Sequence, residues 1–125
     1  MLMPYWIQRA DYSCTNYDPV DVEGAVKAFN GHDWQEELRL QHEIENREVR
    51  KFFGLFKAKP DWCPPGIGFC PADKRFLHIM LMDEHYVTFF CDYDHESAEI
   101  SYAEAAEAIR RFFAGDREWL MDKCR

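Results

Sequence analysis

Apolar residues recur along the chain with two periods, one near 3.6 and one of 2. Tyr5-Trp6-Ile7-Gln8-Arg9-Ala10-Asp11-Tyr12 is short and aromatic-rich, and predicts a first strand. Val22, Ala25, Val26 and Phe29 then repeat at i, i+3, i+4 and i+7, the stripe of an amphipathic helix. Asp18 is a suitable N-cap for it, Pro19 a first helical residue, Asp21 a first-turn carboxylate and Asn30-Gly31 a left-handed stop. Asp33 and Glu36 form a D-x-x-E capping pattern that opens a second helix at Trp34. At 100° per residue Trp34, Leu38, Val49, Phe52, Phe53 and Phe56 share one sector, with Ile44 and Leu55 at its edge. Gln41, His42, Glu45 and Glu48 occupy that same face midway, so the helix either breaks near Asn46 or leaves the core there. Residues 38–44 also alternate as a strand would. Their Glu, Gln, Arg and Leu content favours helix.

Lys59-Pro60-Asp61-Trp62-Cys63-Pro64-Pro65-Gly66 carries three prolines and reads as an extended connector. A short strand Ile67–Cys70, a turn over Pro71–Lys74, a strand Arg75–Met82, a turn at Asp83-Glu84-His85 and a strand Tyr86–Tyr93 follow. Ser101 and Glu104 then form a capping box for a helix whose stripe is Tyr102, Ala105, Ala106, Ile109, Phe112 and Phe113. Gly115 ends it, and Glu107 and Arg111 are spaced as a surface pair. The expected architecture is a single α+β domain over residues 1–125. Its antiparallel sheet has a C-terminal three-strand meander packed against two to three helices.

Composition narrows the function classes. At 47% hydrophobic and 30% charged, the chain is too apolar to be disordered and too charged for a membrane protein. The N-terminal apolar run stops at Gln8 and Arg9, short of a signal-peptide core, and no apolar stretch approaches a bilayer span. A net charge of −8 argues against binding phosphate backbones and suits a basic protein partner. Five cysteines without a CxxC pair read as free thiols in a reducing cytoplasm, with no cofactor implied.

The hairpin gives a finer expectation. A three-residue turn pairs Met82 with Tyr86, Met80 with Thr88, His78 with Phe90 and Phe76 with Asp92. One face then carries Leu77, Ile79, Leu81, Val87, Phe89 and Cys91, and is wholly apolar. The other sets His78, Tyr86, Thr88 and Asp92 among aromatics and methionines, either a ligand face or a second core face. The five histidines lack metal-ligand spacing, neither Cys63 nor Cys91 has a base placed beside it, and no nucleotide or hydrolase fingerprint occurs. No catalytic or metal-binding residue is therefore assigned. Asp92, Asp94, His95, Glu96 and Glu99 follow the last strand, and the carboxylates read as a solvated loop or a patch for a basic partner. Trp34, Trp62 and Trp119 lie near element ends or in the connector, and Trp62 is the one expected to be partly exposed as an anchor.

From Gly66 to Trp119 the chain resembles the small immunity proteins of bacterial polymorphic-toxin systems. The hairpin Phe76–Tyr93, the step Ile100-Ser101, the Ala/Glu-rich helix ending in Phe112-Phe113, and Trp119 carry the resemblance. It implies a cytoplasmic, non-enzymatic protein that blocks one cognate toxin and has no catalytic residues. On this reading Asp92, Asp94, Glu96, Glu99 and Trp62 bind the basic partner. Two alternatives are a small-ligand or enzymatic domain using His78, Tyr86, Thr88 and Asp92, and a homo-oligomer pairing through its aromatic surface.

Overall fold

The computed structural model describes residues 1–52, 63–71, 75–82, 86–91 and 96–124. Within them the chain runs β1 (Met3–Gln8), β2 (Cys14–Val20), α1 (Val22–Gly31), α2 (Trp34–Phe52), β3 (Gly66–Phe69), β4 (Leu77–Leu81), β5 (Tyr86–Cys91), β6 (Glu96–Ser101), α3 (Tyr102–Phe113) and α4 (Arg117–Lys123). The strands form one open sheet of order β2-β1-β3-β4-β5-β6, antiparallel at every pairing. The class is α+β, and the sheet is wider than the hydrophobic pattern predicts, because β2 and β6 add strands that the periodicity does not mark.

Both additions have local causes. β2 is an edge strand, where Pro19 sits without the penalty it would bring to a central strand. The register shifts between Met3 and Tyr5 as β1 meets β2. Asp18 and Pro19 thus belong to β2, and α1 starts later. Its N-cap is Asp21, whose side chain accepts from the Gly24 N–H at 2.8 Å. The first strand also stops earlier than expected, at Gln8. Residues 9–13 turn back, with Arg9 N–H donating to the Ser13 carbonyl at 2.8 Å and Tyr12 in the left-handed region at φ 73°. Gly31 is not a left-handed stop. It remains inside α1, and His32 caps the helix in an extended conformation.

Residues 38–44 are helical, within a single α2 that runs through Asn46. Its inward stripe is Trp34, Glu37, Leu38 and Ile44, all buried, with Trp34 Nε1 donating to the Phe29 carbonyl at 2.8 Å. Asp33 caps α2 by accepting from Glu36 N–H at 3.1 Å. The C-terminal signals hold in detail. Ser101 Oγ accepts from Glu104 N–H at 3.3 Å and Glu104 Oε1 from Ser101 N–H at 3.2 Å, a complete capping box. At the far end Gly115, at φ 75°, closes a Schellman turn. Its N–H donates to Phe112 O, and Asp116 N–H donates to Arg111 O.

One face of the sheet is the core. Ile7, Ile67, Phe69, Leu77, Ile79, Leu81, Val87 and Ile100 form a buried cluster with Ala25, Val26 and Phe29 of α1 and Ala105, Ile109 and Phe112 of α3. α3 contacts β4, β5 and β6 and is flanked by α1 and α4. Trp119 of α4 lies beneath two cations, with Arg111 and Lys123 5.5 and 5.3 Å from its ring centroid. Lys123 also bonds Glu104 Oε2 at 2.7 Å, holding the Glu104 carboxyl below its usual range. Trp119 and Trp34 thus serve the fold itself, while Trp62 lies outside the described residues.

Candidate binding face

Residues directly opposite each other in an antiparallel ladder project to the same face. Chaining the registers across the sheet gives two rows on the side away from the core. One row is Asn16, Trp6, Gly68, His78, Phe90 and Ser97, and the next is Cys14, Gln8, Gly66, Met80, Thr88 and Glu99. The pairs His78–Phe90 and Met80–Thr88 are the ones the hairpin predicts. Tyr86, opposite Ser101, falls on the same side by register. His78, Met80 and Thr88 are half-buried, and Glu99 and Met82 are exposed.

The two glycines of β3 shape this face. A Cβ on Gly68 would stand 1.9 Å from Trp6 Cζ2, so only glycine lets the indole lie over β3. A Cβ on Gly66 would meet the Ile79 carbonyl at 2.4 Å and His78 Nε2 at 3.1 Å. Trp6 and His78 therefore converge over the glycines, their rings 5.8 Å apart. Gly68→Ala must expel the indole and should cost about 1–3 kcal/mol or more. Trp6→Ala in the same chain should recover part of that loss. Denaturant melts of the two single variants and the double variant check this, and simple additivity would place the ring elsewhere.

His78 Nε2 is shut off from solvent and finds no hydrogen-bond partner among the described residues. Burial lowers the His78 pKa from its ordinary 6.5, so the ring is neutral in the fold at neutral pH. The unfolded chain takes up a proton as the pH falls through about 6.5, and the folded chain resists doing so. His78 thus costs no stability above that pH and destabilises the fold progressively below it. The drop in Tm between about pH 7.5 and about pH 5.5 should be smaller in His78→Gln than in the parent. An equal drop would remove His78 from the acid response.

A second polar constellation ties the β1–β2 turn to α2. Glu37, 1% exposed, accepts from Arg9 Nε at 2.7 Å and from Ala10 N–H at 3.1 Å, with His32 Nε2 3.9 Å away. Cys63 is fastened to the same turn. Its N–H donates to the Ala10 carbonyl, its Sγ to the Arg9 carbonyl at 3.2 Å, and Gln8 Nε2 donates to that Sγ at 3.1 Å. Burial raises the Cys63 pKa, which keeps it a thiol rather than a nucleophilic thiolate. Periodicity does not reveal Glu37, because its partner Arg9 is 28 positions away.

The acidic segment is not wholly a loop. Glu96 and Glu99 belong to β6, and the register places them on opposite faces, Glu99 opposite Thr88 and Glu96 opposite Cys91. Asp92, Asp94 and His95 lie outside the described residues. Of the residues proposed from sequence, His78, Thr88 and Glu99 come together on one face, joined by Tyr86 through register. Trp6 and the β3 glycines, missed in the sequence, complete that face. Glycine inside a strand signals close approach of another group, and Gly66 and Gly68 of β3 are such glycines. No group of three or more metal-ligating side chains forms among the described residues. Comparison with protein-family models, curated proteins and solved structures finds no match to this chain.

Proposed function

We propose that this chain is a non-enzymatic binding protein, similar to the small immunity proteins that neutralise toxins, and that it occludes a basic partner in the cytoplasm. The observation that carries the reading is the pairing of Thr88 with Glu99. Through it Glu99 joins the His78/Met80/Thr88 face and gives that surface an acidic margin. Asp92, Asp94, Glu96 and Glu99 steer the partner, aided by a net charge of −8, and aromatic side chains, Trp62 among them, give the complex its lifetime. No helix among the described residues is long and apolar enough to cross a membrane.

The test is co-expression with any basic toxic domain that a neighbouring reading frame encodes, in a host which that domain poisons. Growth should be rescued by the parent chain and lost with a folded variant in which Asp92 and Asp94 become Asn and Glu96 and Glu99 become Gln. Undiminished rescue by that variant, or no rescue by the parent, contradicts the reading.

One observation favours a second reading. The unpartnered His78 Nε2 beside Trp6 is an acceptor for a hydrogen bond from a small planar ligand, with Thr88 on the same face by register. Saturable quenching of Trp fluorescence by such a ligand, abolished in His78→Phe, would promote this reading over the first.

A further inference from the structure

We propose that β6 accepts an extended, basic segment of the partner as a seventh strand of the sheet, an inference that rests on the basic-partner reading above. β6 ends the strand order, and its outer edge adjoins no further strand of the described sheet. Such an edge offers a ladder of main-chain donors and acceptors, which is how sheet edges bind extended peptides.

The two edges of this sheet differ. Proline and irregular pairing are means of blunting an edge, and β2 has both, Pro19 and the register shift opposite Met3–Tyr5. β6 pairs with β5 at six successive positions, Glu96 to Ser101, without a shift and without proline. Its edge is the regular one.

Charge selects the occupant. Glu96 and Glu99 stand three positions apart, so the register assigns one to each face. A second copy of β6 laid alongside would bring two further glutamates to the same edge, in a chain already at −8. A strand with Lys or Arg at two positions three apart would instead meet one acid on each face, with a small residue suited to the positions opposite Ser97 and Ala98. The edge thus repels its own kind and favours a basic strand from another protein.

The test uses the full chain and a short synthetic peptide of Val and Thr with two lysines three positions apart. Two further peptides carry N-methyl groups on alternate residues, one set along each edge, which removes donors from that edge and leaves every charge in place. Amide hydrogen exchange is followed by NMR. Bound peptide should slow the outward-facing β6 amides about tenfold. Methylation along one edge should abolish binding and along the other should spare it. Glu96→Gln with Glu99→Gln should weaken binding about tenfold. Salt-sensitive binding that leaves the β6 amides unchanged and treats both methylated peptides alike would overturn strand addition while leaving an acidic binding surface intact. No binding at millimolar peptide would also overturn it, and growth rescue then decides the broader reading separately. Slowing of β6 amides with rising chain concentration alone would replace the partner strand by a second copy.

Discussion

Arg9→Met is expected to destabilise the fold by about 3 kcal/mol, because it strands a buried carboxylate. Glu37 is 1% exposed and, once the guanidinium is gone, keeps among the described residues the Ala10 N–H, with His32 Nε2 3.9 Å away. The Met side chain preserves the apolar stem, so the loss isolates the charge from the packing. Arg9 is itself nearly half exposed, which screens the pair and sets the cost at the lower end of the range for broken buried pairs. Glu37→Gln leaves an acceptor for Ala10 N–H and no stranded charge, and should cost about 1–2 kcal/mol. Combining both changes should restore most of what Arg9→Met loses. Chemical denaturation of all four proteins gives the coupling directly, and additive losses would show that Arg9 and Glu37 act independently.

Ile109→Ala is the second large effect, about 2–5 kcal/mol. Ile109 is fully buried at the centre of the α3 stripe, in one cluster with Ile67, Leu77 and Ile79 of the sheet. Deleting three carbons there removes contacts to α3 and to the strands beneath it, and neighbours fixed by a regular sheet have little freedom to fill the void. Thermal or denaturant melts measure the loss, and one below about 0.5 kcal/mol would detach α3 from the sheet.

What the sequence disclosed follows the range of the interactions. α3 was legible because its signals are local. Ser101 and Glu104 cap each other across one turn, the apolar stripe repeats within the helix, and Gly115 takes the φ that only the end of a helix needs there. β2 was not, because Cys14 to Pro19 is exposed at every position and so has no alternation to read. Its existence depends on pairing with β1, while Asp18-Pro19 imitates the start of a helix. β6 was hidden for a related reason. Glu and Ser are poor strand formers, and what makes Glu96–Ser101 a strand is the ladder to β5. Its Glu99 could then be placed beside Thr88 only once that ladder was known. The face itself was half legible. The hairpin set His78 and Thr88 on one side, and only the β1–β3 register brought Trp6 over Gly68 to complete it.

That face and its acidic margin are the centre of the functional account, and the association rate with the partner tests them most directly. The rate should be measured for the basic partner proposed above, at rising salt, with the parent and with the variant carrying Asn at 92 and 94 and Gln at 96 and 99. The parent should associate roughly ten- to a hundredfold faster at low salt, and the variant should show a much flatter salt dependence. Equal rates and equal salt slopes for the two proteins would contradict the claim that these carboxylates recruit a basic partner.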